Sequence, residues 1–349
     1  MLSRARAMPA AAHGGVSIIV VNFNGGKKLR KCLQVMLATA GEAEIVVVDN
    51  ASTDGSAELP SLLASRIRVI RSGVNAGYAA GLNQGADASS GEILVFANMD
   101  TVPEPGWLAP LAAALRENPE VAAVNPLLLL MDGVSVNAAG QRIHVTGLGF
   151  NRSLGEPAGR FGDRMFAVDG FHGAFFAMKR STYDLVGGFD ATGFLYHEDV
   201  NSSWLLRLAG YELCCVPASR VRHDYYLSMH ADKFHLLERN RIAMLMAYLR
   251  PGTLLALLPM LLFTELLAWG YAILRRHGFG GAKWRSYGWV VAHREQIRER
   301  RRLAAKLRRA GDFRLLAGFG WAYDWRQFGI LARERGLGKR KPGAEIVSS

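Results

Sequence analysis

The sequence predicts an α/β fold, a doubly wound, mainly parallel sheet followed by a helical appendage. Three observations predict it. Apolar, β-branched runs at 16–21, 44–48, 67–70 and 93–96 alternate with segments of helical length at 27–38, 57–63 and 76–89. Strands that are apolar throughout, rather than every second residue, are covered on both faces. The connections carry turn chemistry: Asn24-Gly25-Gly26, Asp54-Gly55 and Ser90-Gly91. Finally, the net charge of +12 is placed unevenly. From Arg275 to Ser349 there are 19 Lys and Arg against 6 Asp and Glu, whereas the part before it holds 23 basic and 24 acidic residues. An ordinary neutral globular unit is thus followed by a basic tail.

The elements follow in order. Residues 1–15 contain two arginines but no apolar run of signal-peptide length, and are expected to be a disordered leader. The four strands with their three intervening helices come next, then a helix at 107–116, a break at Asn118-Pro119 and a strand at 121–124. The Gly-rich stretch 125–168 suggests short mixed strands. A strand at 174–178, a helical turn at 181–186, a helix at 198–209 and a strand at 212–216 complete a domain spanning 16–230. Beyond it, 231–349 reads as helical: 232–249, an almost wholly apolar run at 253–274, a basic helix at 295–309 and an amphipathic one at 312–335. Chain length, 349 residues, fits this division. A hydrophobic content of 50% excludes a mainly disordered chain. The 3 cysteines, two of them adjacent at Cys214 and Cys215, give neither a disulfide framework nor zinc spacing, which suits a reducing cytosol.

In an open α/β sheet, ligands bind at the carboxyl ends of the parallel strands. Polar clusters fall there after the first strand (Asn22-Phe23-Asn24), the second (Asp49 to Asp54) and the fourth (Asn98-Met99-Asp100). One such turn could merely cap the next helix; three at one edge indicate a ligand site. No P-loop motif is present, and Gly147-Leu148-Gly149 starts a dinucleotide fingerprint that Arg152 fails to finish. Carboxylates at strand ends suit instead a diphosphate held through a hard divalent cation.

Several segments together resemble the inverting nucleotide-sugar glycosyltransferases of family 2. They are VSIIVVNFNG at 16–25, VVVDNASTDGS at 46–56, NAGYAAGLNQGADASSGEILVFANMD at 75–100, the stretch 173–212 containing GGFDATGFLYHEDVNSSW, and VRH at 221–223. The DNAST form and the apolar-then-basic tail look most like the rhamnosyltransferase branch of bacterial surface polysaccharide synthesis. The resemblance implies the GT-A fold and a site. Asp49 would bind the pyrimidine base or ribose, Phe23 would lie against the base, and Val21, Asn75 and Gly77 would border the nucleotide. Asn75 and Gly77 could equally only start the third helix. Asp100, the last acid of a D-x-D-like motif, would hold Mg²⁺ or Mn²⁺, with His223 as a further ligand or else a structural histidine. Asn98, an amide in place of the first acid, is given only a supporting role, as are Glu198 and His197. Asp199 would be the catalytic base, His172 would face the acceptor or else be an ordinary loop histidine, and Asn201 stands where another acid is usual.

The chemistry requires such groups. A nucleoside diphosphate leaves with charge that a divalent metal neutralises. The attacking hydroxyl must lose its proton, and a positioned carboxylate typically accelerates that about 10²–10⁴-fold. The alternative for Glu198 and Asp199 is a favourable charge at a helix N-terminus.

The apolar run is long enough to span a bilayer, but basic residues flank both ends. Glu265 is its only charge and Pro259 its only breaker. The expectation is a helix, or a hairpin broken at Pro259, at the membrane interface, with the basic helix meeting anionic headgroups. The rival is a core helix packed on the catalytic domain. No nucleic-acid recognition motif accompanies the basicity. The expected function is transfer of a sugar, L-rhamnose from dTDP-rhamnose foremost, to a lipid-linked or growing saccharide at the cytoplasmic face of the bacterial inner membrane. A polyprenyl-phosphate glycosyltransferase and a membrane-bound nucleotide-binding scaffold are the alternatives. Retention of both Asp100 and Asp199 argues against the scaffold.

Overall fold

The computed structural model describes residues 15–333, so the expected leader, apart from Gly15, and the end of the tail lie outside the described residues. The repeating β/α pattern forms as its apolar runs dictate: β1 (Val16–Asn22), α1 (Gly26–Thr39), β2 (Glu44–Asp49), α2 (Leu59–Leu63), β3 (Ile67–Arg71), α3 (Tyr78–Ala88) and β4 (Ile93–Asn98). All of β1 is buried, as a strand covered on both faces should be. Helix α1 turns Leu29, Cys32, Leu33 and Met36 inward, a stripe at helical spacing.

The chain continues through β5 (Thr101–Pro103), α4 (Leu108–Glu117), β6 (Val121–Leu129), β7 (Val136–Ala138), β8 (Gln141–Ile143), β9 (Gly149–Asn151), β10 (Phe166–Ala167), β11 (Phe175–Lys179), α5 (Arg180–Leu185), α6 (Glu198–Leu208) and β12 (Glu212–His223). The sheet order is β10-β12-β6-β11-β4-β1-β2-β3, with β5 on β12 and β7 on β6. β3, β2, β1 and β4 are parallel, and β11 runs antiparallel between β4 and β6. β12 outruns the expected 212–216 because a register shift between Val216 and Arg220 accommodates Pro217, which cannot donate to a ladder. That extension carries His223 to the ligand edge. Opposite Asn22 in register is Asp49, and opposite Val21 is Asn98.

The helical region comprises α7 (Ala231–Tyr248), α8 (Pro251–Ala256), α9 (Leu258–Arg275), α10 (Phe279–Ala292), α11 (Arg294–Leu307), α12 (Asp312–Ala317) and α13 (Trp325–Arg333). The apolar run breaks at Leu257, and Pro259 stands in the first turn of α9, where its missing N–H costs nothing. The amphipathic segment expected at 312–335 is two helices. They are split at Gly318–Gly320, where Gly320 N donates to Ile143 O and a Cβ on Gly318 would strike Arg207. Helix α10 was not among the helices expected in this region; Ala282, Lys283, Ser286 and Val290 are buried along one side of it.

One apolar cluster joins both regions: Phe171, Trp204 and Leu206 share it with Met244, Tyr248, Ile297, Leu315 and Phe319. Trp204 and Phe319 meet with ring centroids 4.6 Å apart. Beside it lies a buried polar knot. Arg241 donates two bonds of 2.9 Å to Glu238 and one of 2.7 Å to Glu265, while Lys283 pairs with both acids. Burial alone would raise Glu238, but the two cations more than offset it and hold the carboxyl down to about 2.

Candidate active site

The carboxyl ends of β1 and β2 are welded by side chains. Buried Asn22 donates from Nδ2 to Asp49 Oδ1 (2.7 Å), Ser52 Oγ (3.0 Å) and Ser56 Oγ (2.9 Å), and its Oδ1 accepts from Gly25 N. Asp49 Oδ2 accepts from Ser52 N at 3.1 Å, so its carboxylate is held rigidly beneath the edge. Val21, preceding Asn22, is buried and Phe23, following it, is half-buried. Asn50 extends the weld to the next loop, donating to Asn75 Oδ1 (2.8 Å) and Gly77 O (3.0 Å).

Gly77 has φ +89° and ψ 170°, a backbone region essentially restricted to glycine. A Cβ there would lie 2.2 Å from Phe194 O, which already accepts from Tyr78 N at 2.7 Å. Loop 194–197 therefore seats directly on the start of α3. Phe194, Tyr196 and His197 all take positive φ within it. Gly77→Ala should cost about 1–3 kcal/mol of stability, measured as a lower urea midpoint, and free this loop. An unchanged midpoint would mean the loop does not need that seat.

At the end of β4, Asp100 faces His223 from β12, with Oδ1 and Nε2 3.5 Å apart. His223 Nδ1 lies 2.9 Å from Asn137 Oδ1, an acceptor, so Nδ1 carries the proton and Nε2 presents its lone pair. Asp100 Oδ1 is buried with no hydrogen bond reaching it. Lys28 Nζ stands 3.8 Å from Asp100 Oδ2 and 2.8 Å from Asp224. Among the described residues no group of three His, Cys, Asp or Glu side chains converges. A carboxylate oxygen without a partner and an imidazole lone pair nonetheless fit two positions of a cation whose other ligands are water and diphosphate. Asn98, half-buried at the end of β4, accepts from Thr101 Oγ1 through its carbonyl.

The segment 172–174 separates this pair from Asp199. His172 packs against His223 with ring centroids 6.0 Å apart, and its Nδ1 accepts from Ala174 N. Burial pushes this imidazole down to about 3, His223 adding to the effect and Asp100 opposing it, so it is a neutral donor through Nε2. The next residue, Gly173, donates its N–H to Asp199 Oδ2 at 2.9 Å. Gln141 Nε2 donates to the same oxygen at 2.7 Å, and Val200 N to Oδ1 at 2.8 Å. Asp199 is thus aimed by three donors. Burial raises its carboxyl, with the Gly173 and Val200 N–H groups pulling it back. Burial, then the charge of Asp199, pushes Glu198 up as well, and Glu198 Oε2 is buried without a partner. His197 donates from Nε2 to Gly147 O (2.9 Å), locking the residue before these acids to the β8–β9 turn. Asn201 is taken by Tyr248, whose OH donates to it at 2.6 Å.

Lys28, Asn137, Gln141 and Tyr78, whose OH donates to Gly173 O at 3.2 Å, escaped the sequence reading. Each reaches the site over a long sequence separation, and no motif or periodicity marks such contacts.

A family model described as "Glycosyl transferase family 2" matches residues 17–200. The chain is 27% identical over 236 residues to an N-acetylglucosaminyl-diphospho-decaprenol L-rhamnosyltransferase of Mycobacterium tuberculosis, covering 59% of this chain and 75% of that one. It is 28% identical over 233 residues to an O-antigen biosynthesis protein of Myxococcus xanthus, covering 62% of this chain and 18% of that longer one. Among solved structures it resembles GalNAc-T7 with UDP, GalNAc and Mn²⁺, with a TM-score of 0.55 and 20% identity. That match covers 67% of this chain and 48% of the other, so the chain spans about half of that enzyme. The likeness shows the fold, which is GT-A.

Proposed function

Because the chain belongs to glycosyltransferase family 2, we propose that it moves L-rhamnose from dTDP-rhamnose to a lipid-linked saccharide, with inversion, at the cytoplasmic face of a bacterial plasma membrane. The observation that carries this reading is the placement of segment 172–174, which holds Asp199 on one side and abuts the Asp100–His223 pair on the other. In this reading Asp100 serves the diphosphate end, and Asp199, separately aimed, deprotonates the acceptor hydroxyl. The sugar and the lipid carrier are supported by the mycobacterial relative, whose name states both.

Each residue has a task. Asp49 and Phe23 hold the nucleoside, with Val21, Asn75 and Gly77 bordering it. Asp100 and His223 would hold Mg²⁺ or Mn²⁺, which when bound neutralises charge on the departing diphosphate. Lys28 adds a fixed positive charge at the same end. Asp199, oriented by Gln141, Gly173 and Val200, accepts the hydroxyl proton as that oxygen attacks the anomeric carbon from the face opposite the leaving group. A single displacement of this kind inverts the centre. His172, neutral and donating, orients the acceptor.

A panel of nucleotide sugars given to the purified full chain with Mn²⁺ tests the reading. Slow hydrolysis of dTDP-rhamnose above that of UDP- and GDP-hexoses is expected. Preference for another donor would overturn the sugar, and no hydrolysis of any donor would overturn the activity.

A further inference from the structure

Helix α9 has the length and composition to cross a bilayer, yet its surroundings argue against crossing. We infer that α9 lies flat in the headgroup region of an anionic membrane, one side sunk among the lipids and the other bolted to the catalytic domain. This deepens the proposed work at a lipid surface and rests on it, but not on which sugar is moved.

The bolted side carries Glu265, near the middle of the helix. Its carboxylate accepts from Arg241 (2.7 Å) and Tyr287 and pairs with Lys283 at 2.8 Å. Arg241 and Lys283 are 2% and 0% exposed, respectively. With Glu238 they form a set of two acids and two bases that carries no net charge. Drawing α9 across a bilayer would take Glu265 to the hydrocarbon centre and leave two buried cations sharing one carboxylate. Thr264 and Ala272, also buried, lie on the same side, and Thr264 Oγ1 meets Tyr323 OH at 2.8 Å.

Among the described residues nothing covers the opposite side. Leu258, Leu262, Leu266 and Ile273 fall along it at helical spacing, Leu266 being 69% and Ile273 67% exposed. Leu255 on α8 continues the strip at 70% exposure. The partner is identified by what borders the strip. Arg250 and Arg276 stand at its ends, and Trp284, 67% exposed, meets Trp269 with ring centroids 5.5 Å apart. Apolar side chains flanked by tryptophan and arginine match the boundary between acyl chains and anionic headgroups. The surplus of 19 basic over 6 acidic residues from Arg275 onward supplies long-range attraction to the same surface.

The bolt also has a catalytic end. Arg241 Nη1 donates to Thr146 O at 3.2 Å, and the next carbonyl, Gly147 O, accepts from His197 ahead of Glu198 and Asp199. The lipid-facing helix and the proposed base are thereby held at one fixed separation, as an enzyme acting on a membrane-carried acceptor requires.

The test uses full-length protein and vesicles of phosphatidylglycerol mixed equally with phosphatidylcholine, or phosphatidylcholine alone. Cysteines placed singly at Leu258, Leu266 and Ile273 carry an environment-sensitive fluorophore, and spin-labelled lipids report depth. The native cysteines are buried. Equal, shallow depths at all three sites, with binding stronger on the anionic vesicles, are expected. The exposed pair Leu262→Glu/Leu266→Glu should lower the vesicle-bound fraction roughly tenfold or more and leave donor hydrolysis unchanged. A greater depth at Leu266 than at either end would show spanning and overturn the inference, while leaving the lipid-surface reading intact. No fluorescence change on either vesicle would overturn both, with the glycosyltransferase assignment untouched.

Discussion

With Asp199 as the proposed base, Asp199→Asn should lower turnover by about 10²–10⁴-fold and leave affinity for dTDP unchanged, because that role concerns the acceptor proton and not the nucleotide. The amide can keep the bonds from Gln141 and Gly173 to one oxygen and gives up the one from Val200 N, so an unchanged dTDP affinity in the same sample separates a chemical loss from a structural one. Rate measurements with calorimetry on the same sample check both halves; wild-type turnover would place the base elsewhere. The neighbouring acid gives the effect a pH signature. Burial raises both carboxyls, and the charge of Asp199 raises Glu198 further. Since the active form needs Asp199 ionised, kcat/KM should fall as pH drops through a value above the ordinary carboxylate range. The charge of Asp199 holds Glu198 protonated, so Glu198→Gln, which also puts a neutral group there, should leave that acid limb in place. A limb that moves to lower pH would show that Glu198 ionises first.

Asp100→Asn should abolish the metal-dependent part of donor binding. A neutral amide is a poor partner for a hard cation, and even groups supporting metal ligands cost about 10–100-fold when removed. Calorimetry of dTDP binding with and without Mn²⁺ should show the wild type gaining affinity from the metal and the variant gaining almost none. Lys28, which stays in place beside Asp224, would preserve the metal-free affinity. A variant that still gains affinity from Mn²⁺ would remove Asp100 from the metal position.

The sheet edge was legible in the sequence because parallel strands present their carboxyl ends together, and each polar cluster followed an apolar run directly. Register bears this out in Asn22 opposite Asp49 and Val21 opposite Asn98. The contacts that aim the side chains were not legible. Gln141 lies 58 residues from Asp199 and Asn137 lies 86 from His223, and such pairings depend on how the irregular 125–168 stretch folds back. In the helical region, local rules were overridden by packing. Two glycines, poor helix formers, open α10, yet burial against α7 holds the helix. Glu265 read as an isolated charge in an apolar run, because Arg241 and Lys283 belong to other helices.

The apolar cluster that Trp204 and Phe171 share with Tyr248, Ile297 and Phe319 has a consequence for how this enzyme could diversify. A tail joined by a linker could be exchanged between relatives, giving one catalytic domain a new address without disturbing its chemistry. Here the tail supplies part of the wall behind α6, the helix that presents Asp199. Changes in the tail and in the helix that carries Asp199 are therefore coupled through one core. A graft made at the 230/231 boundary would inherit half a core, so a hybrid needs matching residues at Trp204, Tyr248 and Phe319 before it can inherit a specificity.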